Sequence, residues 1–210
     1  MVELKESLQK ALVELRKTEK RKFDQSVDLI INLQKFDLKK NAVNLMISVP
    51  FKVKERKVAA FLEVKNANVD TIIPDEFKRY AAKKDLKNLV NGYDAFIAQA
   101  SVMPKVATTF GRALGPANKM PSPQLGIMMN VDDKAITELK KKINNTVKLK
   151  TKEASIKVAI GKESMKDEEI IENILAVHTS LLKVLPRNKE NIKNIEVKFT
   201  MTKPEKIKIE

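Results

Sequence analysis

The sequence predicts a fold of class α/β (α+β), with an α/β block inserted into an α+β domain. Three observations point to it. The middle of the chain alternates apolar runs with amphipathic stretches, the pattern of a parallel sheet layered with helices. The C-terminal part instead alternates apolar and polar residues with period two, and the N-terminal part offers two strands after a helix. Together these flanks resemble an open antiparallel sheet with helices on one face. The texture changes near Lys54 and Asn145, which gives an outer domain of residues 1–54 and 146–210 around an inserted domain of 55–145.

Residues 3–22 place Leu4, Leu8, Leu12 and Leu15 on one helical stripe with charges elsewhere. "SVDLIINLQ" and "NLMISVPF" read as strands joined through "KFDLKKNAV", the second closed by Pro50. "KVAAFLEV" is almost continuously apolar, as a strand buried on both faces should be. "PDEFKRYAAKKDLKNLVNG" reads as one helix with Gly92 as its C-cap, and "DAFIAQA" as a second buried strand. Ser101 stands where it could cap a helix whose apolar side holds Val102, Met103, Val106, Ala107, Phe110 and Leu114. A helix over residues 132–144 groups Ile136, Leu139 and Ile143, and its end carries Lys140, Lys141 and Lys142. "TVKLKT" and "SIKVAIG" look like a hairpin around "KEA". "KDEEIIENILAVHTSLLKVLP" is an amphipathic helix with Asp167, Glu168 and Glu169 in its first turn, where the macrodipole favours acids. "NIEVKFTMTK" would be the last strand.

There are 41 Lys+Arg against 27 Asp+Glu, a formal net charge of +14. Such an excess suits a polyanionic partner, because neutralising phosphates releases their counterions. The plain alternative is a solvated basic surface. The outer parts carry +9 and the insert +5, which tilts the binding surface towards the outer domain. No uncharged stretch approaches the roughly 18 apolar residues that a spanning helix needs, and the N-terminus is too charged for a signal peptide. Zero cysteines exclude disulfides and thiolate metal sites, as suits an intracellular protein. With no Trp and only two Tyr, a platform for stacking single-stranded bases is thin.

"KVATTFGRALGPANKMPSPQLG" holds three of the five glycines. It is no phosphate loop: only three residues separate Gly111 from Gly115, and Pro116 follows. No G-x-G-x-x-G occurs anywhere, which weakens the reading as a nucleotide-using enzyme. The residues suggest a helix ending at "GRALG", capped by Gly115 and stopped by Pro116, then a rigid loop bearing an exposed Lys119. A purely structural turn and a contact loop both fit.

"GRALGPANKMPSPQLG" resembles the signature segment of the first large-subunit ribosomal protein, the L-one family, in its short archaeal form. "RKFDQSVDLIINLQ", "SIKVAIGKES" and "KFTMTKPEKIKI" occupy that family's other places, so the resemblance covers nearly the whole chain. It implies an outer split β-α-β domain and a Rossmann-like insert. It also implies a cytoplasmic protein, monomeric off the ribosome, that binds large-subunit rRNA in the mobile stalk beside the tRNA exit site. Assistance in releasing deacylated tRNA and repression of its own mRNA are implied too, with no cofactor, metal or catalytic site. A non-ribosomal double-stranded nucleic-acid binder is the competing reading.

By the same resemblance the RNA-binding residues are Lys22, Phe23, Ser26 and Asp28, then Lys157, Gly161, Lys162 and Ser164, then Thr200, Met201 and Thr202. Lysines reach phosphates, hydroxyls can bond the 2′-hydroxyl, and Gly161 would let backbone approach the RNA. Phe23 fits a contact residue or a core residue equally well. Where the family has Thr-Met-Gly-Pro this chain has Thr200-Met201-Thr202-Lys203-Pro204. Arg112, Lys119, Lys140, Lys141 and Lys142 are expected as secondary phosphate contacts. His178, the only histidine, falls on an apolar helical stripe and reads as structural.

Overall fold

The computed structural model describes residues 2–19, 21–37, 43–80, 82–123, 125–129, 131–151 and 153–207. Along the chain come α1 (Val2–Arg16), β1 (Ser26–Leu33), β2 (Asn44–Ser48), β3 (Val58–Phe61), β4 (Asp70–Ile72), a 3-10 segment (Pro74–Tyr80) and α2 (Lys83–Gly92). There follow β5 (Ala95–Gln99), α3 (Met103–Leu114), β6 (Ile127–Met128) and α4 (Asp133–Asn144). The chain closes with β7 (Thr146–Lys150), β8 (Ser155–Lys162), α5 (Asp167–Leu182), a 3-10 turn (Asn188–Asn191), β9 (Ile192–Phe199) and β10 (Glu205–Ile207). Two compact units result: Met1–Lys54 with Asn145–Glu210, and Glu55–Asn144. Among the described residues no helix is long and apolar enough to cross a membrane.

In the outer unit β10-β9-β1-β8 form an antiparallel sheet. Its period-two pattern sends Val27, Leu29 and Ile31 inward, in register with Phe199, Val197 and Ile195. The leucines of α1 and Ile170, Ile171, Ile174, Val177 and Leu181 of α5 join them in one core. The opposite face, with Ser26, Asp28 and Ile30, remains open.

The structure departs from the sequence pattern at several points. The first helix stops at Arg16, because the charged run after it offers nothing to bury and the Thr18 hydroxyl donates back to the Leu15 carbonyl. β7 and β8 are not a hairpin: β7 pairs with β2, setting Leu45 against Leu149 and Ile47 against Val147, while β8 pairs with β1. Residues 38–42 of the expected β1–β2 connector lie outside the described residues, as does Lys152 of the expected hairpin turn. β9 is not the last strand, for Ile207 of β10 returns to the core beside Ile195.

In the inserted unit four parallel strands run in the order β4-β3-β5-β6. The residues alternate between two cores. Ala59, Phe61 and Phe96 face the side that holds Phe110 and Leu89, and Val58, Ala60 and Ile97 face Ile136 and Ile143. The single helix expected over 74–92 is split into the 3-10 segment and α2, and Gly92 ends α2 with Tyr93 in extended cap conformation. Ser101 is exposed and caps nothing; Val102 occupies the N-cap position and Ala107 faces solvent. Gly115 does follow α3, yet at a right-handed φ of −58°. The left-handed reversal falls instead on Asn118 (φ 54°), which lets the Lys119 N–H reach the Leu114 carbonyl at 3.0 Å. Glycine matters at 115 for space: a Cβ there would meet the Gly111 oxygen at 2.8 Å.

Candidate nucleic-acid interface

Three segments meet at the end of the outer sheet where β1 begins and where β8 and β9 finish. β1 enters opposite Lys162 and Phe199, its partners in register at Ser26 and Val27. Thr200 is fixed to that entry, its hydroxyl accepting the Ser26 N–H at 3.0 Å. Thr202 closes the β9–β10 turn by accepting the Phe199 N–H at 2.9 Å. It stands at an ordinary negative φ, so this turn does not require the family's glycine. The loop after β8 is tied to the same entry: Ser164 donates its N–H and its hydroxyl to the Asp24 carboxylate, each at 3.1 Å. Lys162 donates to the Asp24 carbonyl at 3.1 Å and lies 3.9 Å from its carboxylate.

Phe23 is 52% exposed and Met201 60% exposed. A core residue hides its side chain, so the core reading of Phe23 is excluded. Lys22 is exposed beside Phe23. Asp28 and Lys157 lie on the open sheet face, where they line a shallow hollow of about 400 Å³ with Ile30, Ala159 and Lys198. Burial raises the Asp28 pKa, and Lys198 directly opposite partly offsets this. Gly161 differs from expectation. It is buried, and a Cβ there would meet Met165 Sδ at 3.1 Å, with Ile170 of α5 at an ordinary 3.5 Å, so its bareness makes room for Met165 of the following loop.

The insert's cations do not share one surface. Arg112 belongs to α3 and Lys140, Lys141 and Lys142 to α4, and these helices cover opposite faces of the parallel sheet. Lys119 is half-buried, correcting the exposed cation expected, and donates to the Val90 and Tyr93 carbonyls at 2.7 and 2.8 Å. It thereby serves one carbonyl in the last turn of α2 and that of the cap residue Tyr93, which lack intrahelical donors. Lys140 donates to the Asn68 carbonyl at 2.8 Å. The crevice at the carboxyl ends of β3 and β5, where open α/β sheets usually take ligands, is crossed by mutual Glu63–Gln99 hydrogen bonds of 3.2 and 3.3 Å.

Sequence reasoning missed three residues. Arg16 donates to Asp167 and to the carbonyls of Glu163 and Met165, clamping the post-β8 loop to α1. Asp24 anchors Ser164, and Gln25, 1% exposed, bonds both other segments. Two signals were present. Extending the β1 alternation back one step puts Gln25 in the buried phase, and Arg16 lies four residues from Leu12, beside the apolar stripe.

His178 is buried on α5 as expected, and its Nε2 has no hydrogen-bond partner. Burial, followed by the charge of Lys189, lowers its pKa below the ordinary 6.5. The unfolded chain therefore binds a proton more readily, and folding stability should fall as pH drops through 6.5 towards the lower folded value. His178→Leu should flatten that part of a stability-against-pH curve measured by urea melts; an unchanged slope would contradict the assignment. Among the described residues no group of three or more His, Cys, Asp or Glu could hold a metal.

The family model described as "Ribosomal protein L1p/L10e family" matches residues 15–203. "Large ribosomal subunit protein uL1" of Pyrobaculum islandicum is 38% identical over 201 residues, covering 90% of this chain and 87% of the relative. The protein of the same name from Korarchaeum cryptofilum is 36% identical over 208 residues, covering 90% and 87%. That from Nanoarchaeum equitans is 33% identical over 196, covering 89% and 92%. The match runs from the end of α1, through the insert's glycine-rich segment, to the turn that carries Thr200 and Met201. The chain belongs to the ribosomal protein L1p/L10e family.

Proposed function

We propose that the protein is a structural constituent of the large ribosomal subunit and binds large-subunit rRNA through the rim formed by residues 22–28, 157–164 and 200–202. The observation that carries this reading is the presence of two exposed apolar side chains, Phe23 and Met201, on segments joined by hydrogen bonds through Ser26, Asp24 and Gln25. Exposed apolar groups beside Lys22 and Lys162 suit ribose and base surfaces next to phosphates, and the hydroxyls of Ser164 and Thr200 suit the 2′-hydroxyl that separates RNA from DNA. Family membership supplies the identity of the RNA.

The test is co-sedimentation with large ribosomal subunits through a moderate-salt wash, together with filter binding to a stalk hairpin and to DNA of the same sequence. Retention on the subunit and preference for RNA are expected; equal affinity for the DNA duplex would favour the non-ribosomal reading. Phe23→Ala, Met201→Ala and Thr200→Ala should each weaken RNA binding by about 1–3 kcal/mol. The first two should leave the melting temperature almost unchanged, since neither side chain is buried.

We extend the proposal to the family's two finer roles, release of deacylated tRNA at the exit site and repression of the protein's own mRNA. A rim that reads one folded RNA would bind a message presenting the same shape. Added protein should then inhibit in vitro translation of that message and not of an unrelated one.

A further inference from the structure

We propose that Gln25 is a positioning residue for RNA recognition, an amide that locks the two other RNA-facing segments to the start of β1; this rests on the rim being the RNA site. Its side chain is 1% exposed, yet carries two hydrogen bonds that face opposite ways. Nε2 donates to the Glu163 carboxylate at 3.1 Å, and Oε1 accepts the Met201 N–H at 3.0 Å. Because a carboxylate can only accept and a backbone N–H can only donate, the orientation of the amide is fixed. The Glu163 N–H also donates to the Gln25 carbonyl at 2.8 Å.

Among the described residues, Gln25 is the one whose side chain bonds both the loop after β8 and the turn after β9. Those segments carry Lys162 and Ser164 on one side and Thr200 and Met201 on the other. Without the amide, the Met201 N–H and the Glu163 carboxylate would lose the group that bridges them, and the two segments would be tied to β1 only separately, through Thr200–Ser26 and Ser164–Asp24. Preorganisation of this kind lowers the ordering cost of binding, so its loss should appear in the dissociation rate. No phosphate contact is removed, so the salt dependence should not change.

Polarity reversal provides the test, in the full chain, with a stalk rRNA hairpin as probe. Gln25→Glu sets a second carboxylate against Glu163 and should weaken binding about tenfold or more. Glu163→Gln keeps an acceptor oxygen opposite the amide, so it should weaken binding less than Q25E does. The double variant Q25E/E163Q restores one amide donor, one carboxylate acceptor and a second oxygen for the Met201 N–H. It should regain nearly parental affinity and dissociation rate, with the net charge of the rim unaltered. Gln25→Met fills the same buried space without either bond, so it remains informative if Q25E folds poorly; it should dissociate faster with an unchanged salt slope.

Parental affinity in both Q25E and Q25M would overturn the inference. So would a double variant that melts normally but still binds as weakly as Q25E. Met201→Ala and Phe23→Ala serve as controls on the underlying reading. If they too bind as the parent does, the rim is not the RNA site and both proposals fall. If they weaken binding while the Gln25 variants do not, only the positioning role is lost.

Discussion

Phe110→Ala should destabilise the inserted unit by about 3–5 kcal/mol, the range for truncating a buried aromatic side chain, and leave RNA affinity measured at low temperature unchanged. Phe110 is fully buried, with its ring 5.1 Å from Phe61, 4.9 Å from Phe77 and 6.0 Å from Tyr80. Removing it empties the centre of the core between the parallel sheet and the α2–α3 side, and the rings of Phe61, Phe77 and Tyr80 around it are too rigid to collapse into a ring-sized void. Hydrogen exchange should show the loss in β3 and β5 while β1 and β9 keep their protection. An RNA affinity that fell in step with the stability of the insert would show that recognition depends on that unit.

The second large effect is a division of labour. A chain joining 1–54 to 145–210 through a short linker should fold and keep RNA affinity within about tenfold of the full protein, whereas residues 55–144 alone should bind about 10³-fold or more weakly, as non-specific contacts do. Excision is feasible because the Val49 N–H donates to the Asn145 carbonyl at 2.8 Å, so the chain leaves and re-enters the outer unit at neighbouring points. The outer core, from Leu4 to Ile207, includes no residue of the insert. The salt dependence should become shallower by just under one unit for each insert lysine or arginine that touches a phosphate. Specific binding by the insert alone would move the site.

Much of this architecture is legible from residue spacing. The leucine stripe of α1, the unbroken apolar run of β3 and the alternation in β9 each declare their element, because apolar burial is the main force driving folding and it leaves a periodic trace. Pairing leaves no such trace. β7 and β8 alternate as a hairpin would, and only their registers with β2 and β1 separate them, a choice made by residues about a hundred or more positions away. Turn chemistry misleads in a similar way. Gly115 looks like a left-handed cap, but Asn118 supplies that conformation, since asparagine also tolerates it. At the rim, the exposed Lys22, Phe23 and Met201 are found through the family resemblance. Gln25 and Asp24 are not, because their role is to hold other residues and not to touch a ligand. Lys119 shows the converse: a cation in a loop looks like a phosphate contact until a helix end is found to occupy it.

The most direct test of the RNA-binding rim is the affinity of the full chain and of the double variant Phe23→Ala/Met201→Ala for a stalk rRNA hairpin, measured across a series of salt concentrations. Neither substitution changes a charge, so the plots of log affinity against log salt should be parallel, with the variant displaced downward by about two decades or more. Superimposed lines would contradict the placement of the RNA site on this rim.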